Sequence, residues 1–214
     1  MQKLRIDIVS DVMCPWCIIG YNHLQAALDS VQDKIDAELH WHPFQLNPQM
    51  GPAGQNLREH IIEKYGITEQ DSAANRERIR QLGAAYGFTF NFNDESRIYN
   101  TQDCHVLLHF AGEKGKQTEL KLALFKRYFT EQQAMNDRDV LLAAIEEVGL
   151  SKVEAAIALN DADYRAKVKG EEARYKQMGI NSVPAFIINE KYLISGGQPP
   201  QVFVDALMEI ASKG

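Results

Sequence analysis

The chain has 214 residues, of which 45% are hydrophobic and 24% are charged, and its formal net charge is −6. This composition excludes disordered, collagen-like and disulfide-framework proteins, and the acidic balance provides no electrostatic footprint for nucleic acid. A chain of this length can bury a core without covalent staples.

Cysteine usage and the N-terminus bear on the compartment. Three cysteines are too few, and odd in number, for a secreted disulfide scaffold. Asp7 interrupts the sequence before the apolar core of a signal peptide could form, and no apolar run approaches transmembrane length. We therefore expect a cytoplasmic protein without a membrane anchor, in which a C-x-x-C motif serves redox or metal chemistry.

The first 44 residues predict a strand, a helix and a second strand. Leu4–Ser10 is short, apolar and β-branched, which is typical of a buried strand. From Trp16 to Val31 apolar residues recur at helical spacing, and Ala37–Phe44 returns to a strand pattern. This order is that of a βαβ unit in a parallel sheet.

The middle of the chain predicts helices. After the Gly/Pro-rich hinge at residues 47–52, residues 55–177 carry successive amphipathic stripes separated by Gly, Asn and Asp. Residues 88–90 form the one candidate strand in this block. No repeat period and no low-complexity segment is present.

The C-terminal part returns to β structure. Ala185–Asn189 and Tyr192–Ser195 predict a hairpin, and an amphipathic helix follows Pro199 and Pro200. Because two β-rich ends must share one sheet, we predict an α/β fold of βαβ and ββα halves with a large all-helical insertion. The predicted limits are 1–52 and 180–214 for the discontinuous domain and 53–179 for the insertion.

The motif Cys14-Pro15-Trp16-Cys17 lies where the first strand passes into the first helix. Pro15 suits the first helical position, which puts Cys14 at the N-cap, beside unpaired backbone N–H groups and the positive end of the helix dipole. This environment favours a reactive thiolate. Cys17, one turn later, is within reach to close a disulfide, so the pair suits thiol–disulfide exchange.

Metal binding is the alternative interpretation of these residues. Zinc normally takes four ligands, and no second C-x-x-C is present, although Cys104, His105 and His109 could complete a site. His40 and His42 also alternate onto one face of the second predicted strand, which is the spacing of a metal pair. We expect no metal at the C-x-x-C motif, because Pro15 and the strand-to-helix position serve exchange chemistry better. We expect His40 and His42 to be partly exposed or hydrogen-bonded strand residues.

Pro184 follows Val183 directly before the apolar strand that begins at Ala185. A proline that enters a strand is usually an edge or turn residue. At this place a cis bond is the other interpretation, and it would bring the backbone of Val183 beside Cys14 with its N–H and C=O free to pair with a substrate chain.

Five segments together carry a resemblance to a known family: 7–17, 44–48, 100–101, 183–184 and 194–198. They resemble the DsbA branch of the thioredoxin superfamily, and in particular its FrnE-type, cytosolic members. The resemblance covers nearly the whole chain, and the long helical insertion is similar to that of the same branch.

The resemblance implies a thioredoxin-like protein disulfide oxidoreductase. It implies that Cys14 is the nucleophile, Cys17 the resolving thiol and Pro184 a cis proline. Pro15, Trp16 and Val183 would contact the substrate, which is a protein or a small thiol. No cofactor is required by this chemistry, and glutathione or a reductase is the expected electron partner.

One departure concerns the segment from Asn100 to His105. FrnE-type proteins often have alanine before the histidine of this segment, where the chain has Cys104. Cys104 is therefore either a buried core residue or a third redox thiol, and Asn100 and His105 are accessory candidates beside it. No cysteine follows Cys104, so a second redox pair is not expected.

Two other functions stay open at this point. The same branch includes 2-hydroxychromene-2-carboxylate isomerases and kappa-class glutathione transferases, which typically keep serine at the first position of the motif. The presence of both Cys14 and Cys17 argues against that chemistry. The non-enzymatic alternative is a redox-switched holdase or partner-binding protein.

Overall fold

The computed structural model describes residues 1–213, which backbone contacts divide into two compact units. The first unit comprises Met1–Phe44 together with the chain from Gly170 onward, and the second comprises Gln45–Lys169. Each is described by itself below. The limits of 53 and 179 for an inserted domain stay a prediction.

The chain begins with a strand, a helix and a strand, and its last three elements are two strands and a helix. The strands are β1 (Gln2–Ser10), β2 (Ile35–Pro43), β3 (Gln55–Asn56), β4 (Arg97–Ile98), β5 (Ala185–Ile188) and β6 (Tyr192–Ser195). The helices are α1 (Pro15–Ser30), α2 (Leu57–Tyr65), α3 (Glu69–Ala84), α4 (Gln102–Glu113), α5 (Gln117–Phe125), α6 (Arg138–Glu147), α7 (Lys152–Asn160), α8 (Ala162–Gln177) and α9 (Pro200–Ser212), and a π-helical turn, Lys126–Thr130, continues α5. Within residues 1–213 no helix is both long and apolar enough to cross a bilayer.

The first unit contains a four-stranded sheet in the order β2–β1–β5–β6. β1 pairs with β2 in parallel along its whole length and with β5 antiparallel, and β5 continues into the β6 hairpin. Asn189 and Glu190 make the hairpin turn with φ angles of 50° and 55°. The chain therefore has the thioredoxin-like α/β fold that the sequence predicts.

The core of this unit lies between the sheet and the helices α1 and α9, which pack against each other. Ile6 and Ile8 of the central strand are fully buried, as apolar residues of a central strand should be. Phe186 of β5 meets Phe203 of α9 edge to face, with ring centroids 4.9 Å apart. The apolar stripe of the last helix is thus used as predicted.

The second unit is mainly helical, in agreement with the sequence, but the candidate strand at residues 88–90 is wrong. This segment is irregular, and its aromatic rings join a cluster in which Phe90 lies 5.0 Å from Phe129 between centroids. The strands are instead β3 and β4, which pair antiparallel over two residues each. Two residues carry no periodicity, so the pattern of the sequence does not indicate them.

Candidate active site

Cys14 is the N-cap residue of α1, four positions after β1 ends. Its N–H donates to the carbonyl of Asp11 at 3.2 Å, and its own carbonyl accepts from the N–H of Cys17 at 3.0 Å. Pro15 occupies the first helical position, where a missing N–H costs nothing. These bonds place the C-P-W-C turn at the end of the central strand.

The two thiols of the motif differ in exposure. Cys14 is 5% exposed, whereas Cys17 is completely buried, and both are free thiols in this structure. Pro15 and Trp16 between them are half-buried. Cys14 is therefore the thiol of the pair that an incoming molecule can reach first.

The segment that contains Pro184 lies beside Cys14. The Val183–Pro184 peptide bond is cis, and the Cys14 Sγ donates toward the carbonyl oxygen of Val183 at 3.5 Å. The register that pairs Ala185 with Val9 of β1 sets this approach. The structure thus brings together three of the predicted site residues, Cys14, Val183 and Pro184, although Cys14 and Val183 are 169 positions apart in sequence.

A loop after β6, Gly196–Gln198, packs against the same place. The N–H of Gly196, which has a φ of 80°, donates to the carbonyl of Pro184 at 2.8 Å. On α1, a Cβ at Gly20 would lie 3.1 Å from the Cα of Gly197 and 3.2 Å from the Cγ of Pro184. The loop and Gly20 therefore help to hold Pro184 in place. Prediction from the sequence did not include them among the site residues, although paired glycines after a strand are a usable signal.

A buried charged network lies elsewhere in the first unit. Arg5 donates to the carboxylate of Asp7 through Nε at 3.0 Å and Nη2 at 2.7 Å. The ring of His42 lies between two carboxylates, with Nε2 2.6 Å from Asp7 Oδ1 and Nδ1 2.6 Å from Glu171 Oε1. The Asp7 and His42 side chains are only 3% and 9% exposed.

Hydrogen bonding decides the charge state of this network. Burial opposes ionisation of Asp7, but hydrogen bonds from His42 and Arg5 outweigh it and hold the pKa of the carboxyl well below its usual range. Burial likewise opposes protonation of His42, but the bonds to Asp7 and Glu171 outweigh it and raise the pKa of the imidazole. A neutral imidazole has one N–H, so two carboxylate acceptors require the imidazolium. His40, the other member of the histidine pair, lies instead 3.0 Å from Glu38.

We expect the raised pKa of His42 to make the unfolding equilibrium depend on pH. The stabilisation is complete below pH about 6.5 and is lost as the pH rises through the folded-state pKa, because only the folded protein holds the proton there. Across that window the free energy of unfolding of the wild type, minus that of His42→Gln, should fall by about 1.4 kcal/mol per pH unit. Urea titrations between pH 6 and 9 measure this difference, and a difference independent of pH contradicts the imidazolium assignment.

The three accessory candidates lie in the second unit. Cys104 is fully buried on α4 and donates from Sγ to the carbonyl of Met135 at 3.2 Å. His105 is 3% exposed. Asn100 accepts from the N–H of Gln102 at 2.9 Å, at the start of α4. Within residues 1–213 no group of three or more His, Cys, Asp or Glu side chains is arranged to hold a metal ion.

A protein-family model and one bacterial protein match almost the whole chain in sequence. The family model described as DSBA-like thioredoxin domain matches residues 5–208. The chain is 27% identical to the uncharacterized protein YwbO of Bacillus subtilis (strain 168), over 99% of this chain and 100% of that protein.

Solved structures are similar over almost the whole chain. A probable DsbA oxidoreductase from Streptomyces coelicolor has a TM-score of 0.89 at 30% identity, over 96% of this chain and 89% of that one. The cytosolic disulfide reductase DsbM from Pseudomonas aeruginosa, solved with GSH, has a TM-score of 0.63 at 19% identity, over 96% and 98%. A 2-hydroxychromene-2-carboxylate isomerase has 0.70 at 13% identity, over 98% and 97%, and these last two likenesses are of fold alone. With its fold, its C-P-W-C turn and the match over residues 5–208, the chain belongs to the DSBA-like thioredoxin domain family.

Proposed function

We propose that the protein is a thiol–disulfide oxidoreductase in which Cys14 is the nucleophile and Cys17 the resolving thiol. The observation that carries this proposal is the position of Cys14 Sγ, at the N-cap of α1 and 3.5 Å from the Val183 carbonyl. Cys14 is slightly exposed and Cys17 is not, which is the asymmetry that exchange through a mixed disulfide requires.

In the reducing direction, the Cys14 thiolate attacks one sulfur of a substrate disulfide. The S–S bond breaks, the leaving sulfur departs as a thiolate and takes a proton from solvent, and a mixed disulfide joins Cys14 to the substrate. The Cys17 thiolate then attacks the Cys14 sulfur and releases the second substrate sulfur as a thiol. The substrate gains two electrons and the Cys14–Cys17 pair becomes a disulfide. Oxidation of a substrate dithiol is the same sequence in reverse.

The surroundings of Cys14 define where a substrate would bind. Pro15 and Trp16 are half-buried beside the thiol, and so is Val183, whose backbone would pair with an extended substrate chain. We propose protein disulfides and glutathione as partners. The likeness to a disulfide reductase solved with GSH supports glutathione as the small thiol that returns the pair to its reduced form.

Reduction of insulin disulfides tests this function. We expect turnover by the wild type with glutathione as reductant and its complete loss in Cys14→Ser, because a serine hydroxyl is not ionised at neutral pH and cannot form the mixed disulfide. Cys17→Ala should accumulate mixed disulfides with protein substrates, which non-reducing electrophoresis detects. Cys104→Ser examines the third thiol, and loss of turnover in this variant would overturn the two-cysteine mechanism.

Other outcomes of these experiments point to other functions. A wild type that binds glutathione tightly without reducing insulin would support a glutathione-dependent transferase or isomerase. A protein that suppresses aggregation equally well with Cys14 and Cys17 both replaced would be a holdase. The first result would overturn the oxidoreductase proposal, and the second would do so when the wild type also fails to reduce insulin.

A further inference from the structure

We propose that His23 is a positioning residue for the exchange reaction, acting through the loop Gly196–Gln198 on the Val183–Pro184 segment beside Cys14. This inference rests on the proposed function for its kinetic consequence, but its structural part stands on the contacts alone. His23 is on α1, nine positions after Cys14, and is 7% exposed.

The first step is a hydrogen bond from α1 to the loop. His23 Nδ1 lies 2.8 Å from the carbonyl oxygen of Gln198. A carbonyl oxygen only accepts, so Nδ1 carries the proton whether the imidazole is neutral or charged. The bond joins a buried helix position to the end of the loop.

Hydrogen bonds within the loop connect Gln198 to Pro184. The N–H of Gln198 donates to the carbonyl of Gly196 at 3.0 Å, and the Gln198 side-chain Nε2 donates to the carbonyl of Ser195 at 2.8 Å. These bonds fold the loop into a tight turn. The N–H of Gly196 then donates to the carbonyl of Pro184 at 2.8 Å, so the turn that His23 holds is bonded directly to the proline beside Cys14.

The loop also contacts α1 near the C-P-W-C motif. A Cβ at Gly197 would lie 3.2 Å from the carbonyl oxygen of Trp16, within the C-P-W-C motif itself. The loop therefore packs directly onto the backbone of the first helical turn, and Pro184 packs over Gly20 at the other side. Contacts that begin and end on α1 thus hold the loop and the Pro184 segment in register with Cys14.

Removal of the His23 donor would break the hydrogen bond between α1 and the loop. The carbonyl of Gln198, a half-buried residue, would lose its partner on α1, and an acceptor without a donor favours conformations in which the loop moves toward water. The Gly196 N–H would then leave Pro184 more often. The Val183 carbonyl, which lies 3.5 Å from Cys14 Sγ in this structure, would no longer be held in one position.

Two measurements on the full-length protein test the proposal. The first is hydrogen exchange at the Gly196 amide, followed by NMR, and the second is kcat/KM for reduction of a small disulfide. We expect His23→Ala to accelerate Gly196 exchange and to lower kcat/KM, each about fivefold, which corresponds to one hydrogen bond. His23→Asn should restore both to within about twofold, since an amide Nδ2 can replace the Nδ1 donor.

A variant on the same helix controls for general effects. Gln25→Ala removes an exposed hydrogen bond to Asp29 and should change neither measurement. If Gly196 exchange is the same in His23→Ala and the wild type, the His23–Gln198 hydrogen bond does not hold the loop and the inference is overturned. If exchange accelerates but kcat/KM is unchanged, the loop does not position the site. If the wild type reduces no disulfide, the proposed function fails, whereas the hydrogen-exchange experiment still shows whether His23 holds the loop.

Discussion

Replacing Asp7 with asparagine is expected to lower the free energy of unfolding by about 3 kcal/mol at pH 7, as removal of one partner from a buried ion pair typically does. The Asp7 carboxylate accepts from both Arg5 and His42, and its side chain is 3% exposed. Asparagine has nearly the same shape but no charge. It would leave the His42 imidazolium and the Arg5 guanidinium facing a neutral amide.

Urea unfolding of Asp7→Asn measures this effect, and an exposed aspartate on the neighbouring strand provides the control. Asp36 is also in a strand but is exposed, so Asp36→Asn should change the free energy of unfolding by less than about 0.5 kcal/mol. Equal effects at the two positions would contradict the assignment of a buried ion network. The effect of Asp7→Asn should also diminish at acidic pH, because protonation of the Asp7 carboxyl removes the same stabilisation from the wild type.

Replacing Gly20 with valine is expected to destabilise the protein by about 3 kcal/mol and to abolish most disulfide exchange. A Cβ at this position would lie 3.1 Å from both the Cα of Gly197 and the Cζ of Phe186, and 3.2 Å from Pro184 Cγ. Two of these neighbours are parts of the backbone or a proline ring and cannot turn away. The two further methyl groups of valine must displace the Pro184 segment or the loop, and either movement alters the surroundings of Cys14.

Gly170 offers a matched helical control. It lies within α8, and a Cβ there would meet nothing within 4 Å. Gly170→Ala should therefore raise the free energy of unfolding by about 0.5–1 kcal/mol, the usual gain from removing a helical glycine. Thermal unfolding and insulin reduction of both variants check the pair. A Gly20→Val protein with wild-type stability and turnover would show that the close approach is not needed.

The elements with long patterns could be predicted from the sequence. β1, α1 and β2 carry enough apolar residues for periods of 2 and 3.6 to be distinct, and the proline within C-P-W-C marks the start of α1. The position of Cys14 at the N-cap follows from this local pattern alone. For that reason the C-P-W-C turn is the most predictable part of the candidate site.

The parts that depend on distant pairs could not be predicted. Asp7, His42 and Glu171 meet across separations of 35 and 129 positions, and nothing local indicates that an alternating histidine will lie between two carboxylates. His23 resembles any buried histidine on an apolar helix face until the position of Gln198 is known. Such contacts are set by the register of the sheet and the packing of α1, which the pattern of a single segment does not contain.

The placement of the two tryptophans gives the protein an internal optical reporter. Trp16 is half-buried between the two cysteines, whereas Trp41 is 3% exposed on β2, with its ring 5.3 Å from that of Tyr21. The proposed Cys14–Cys17 disulfide would change the surroundings of the Trp16 indole, and we expect a smaller change around Trp41. We therefore expect tryptophan emission from the unlabelled protein to follow the oxidation state of the proposed Cys14–Cys17 pair, and Trp41→Phe to isolate the Trp16 signal.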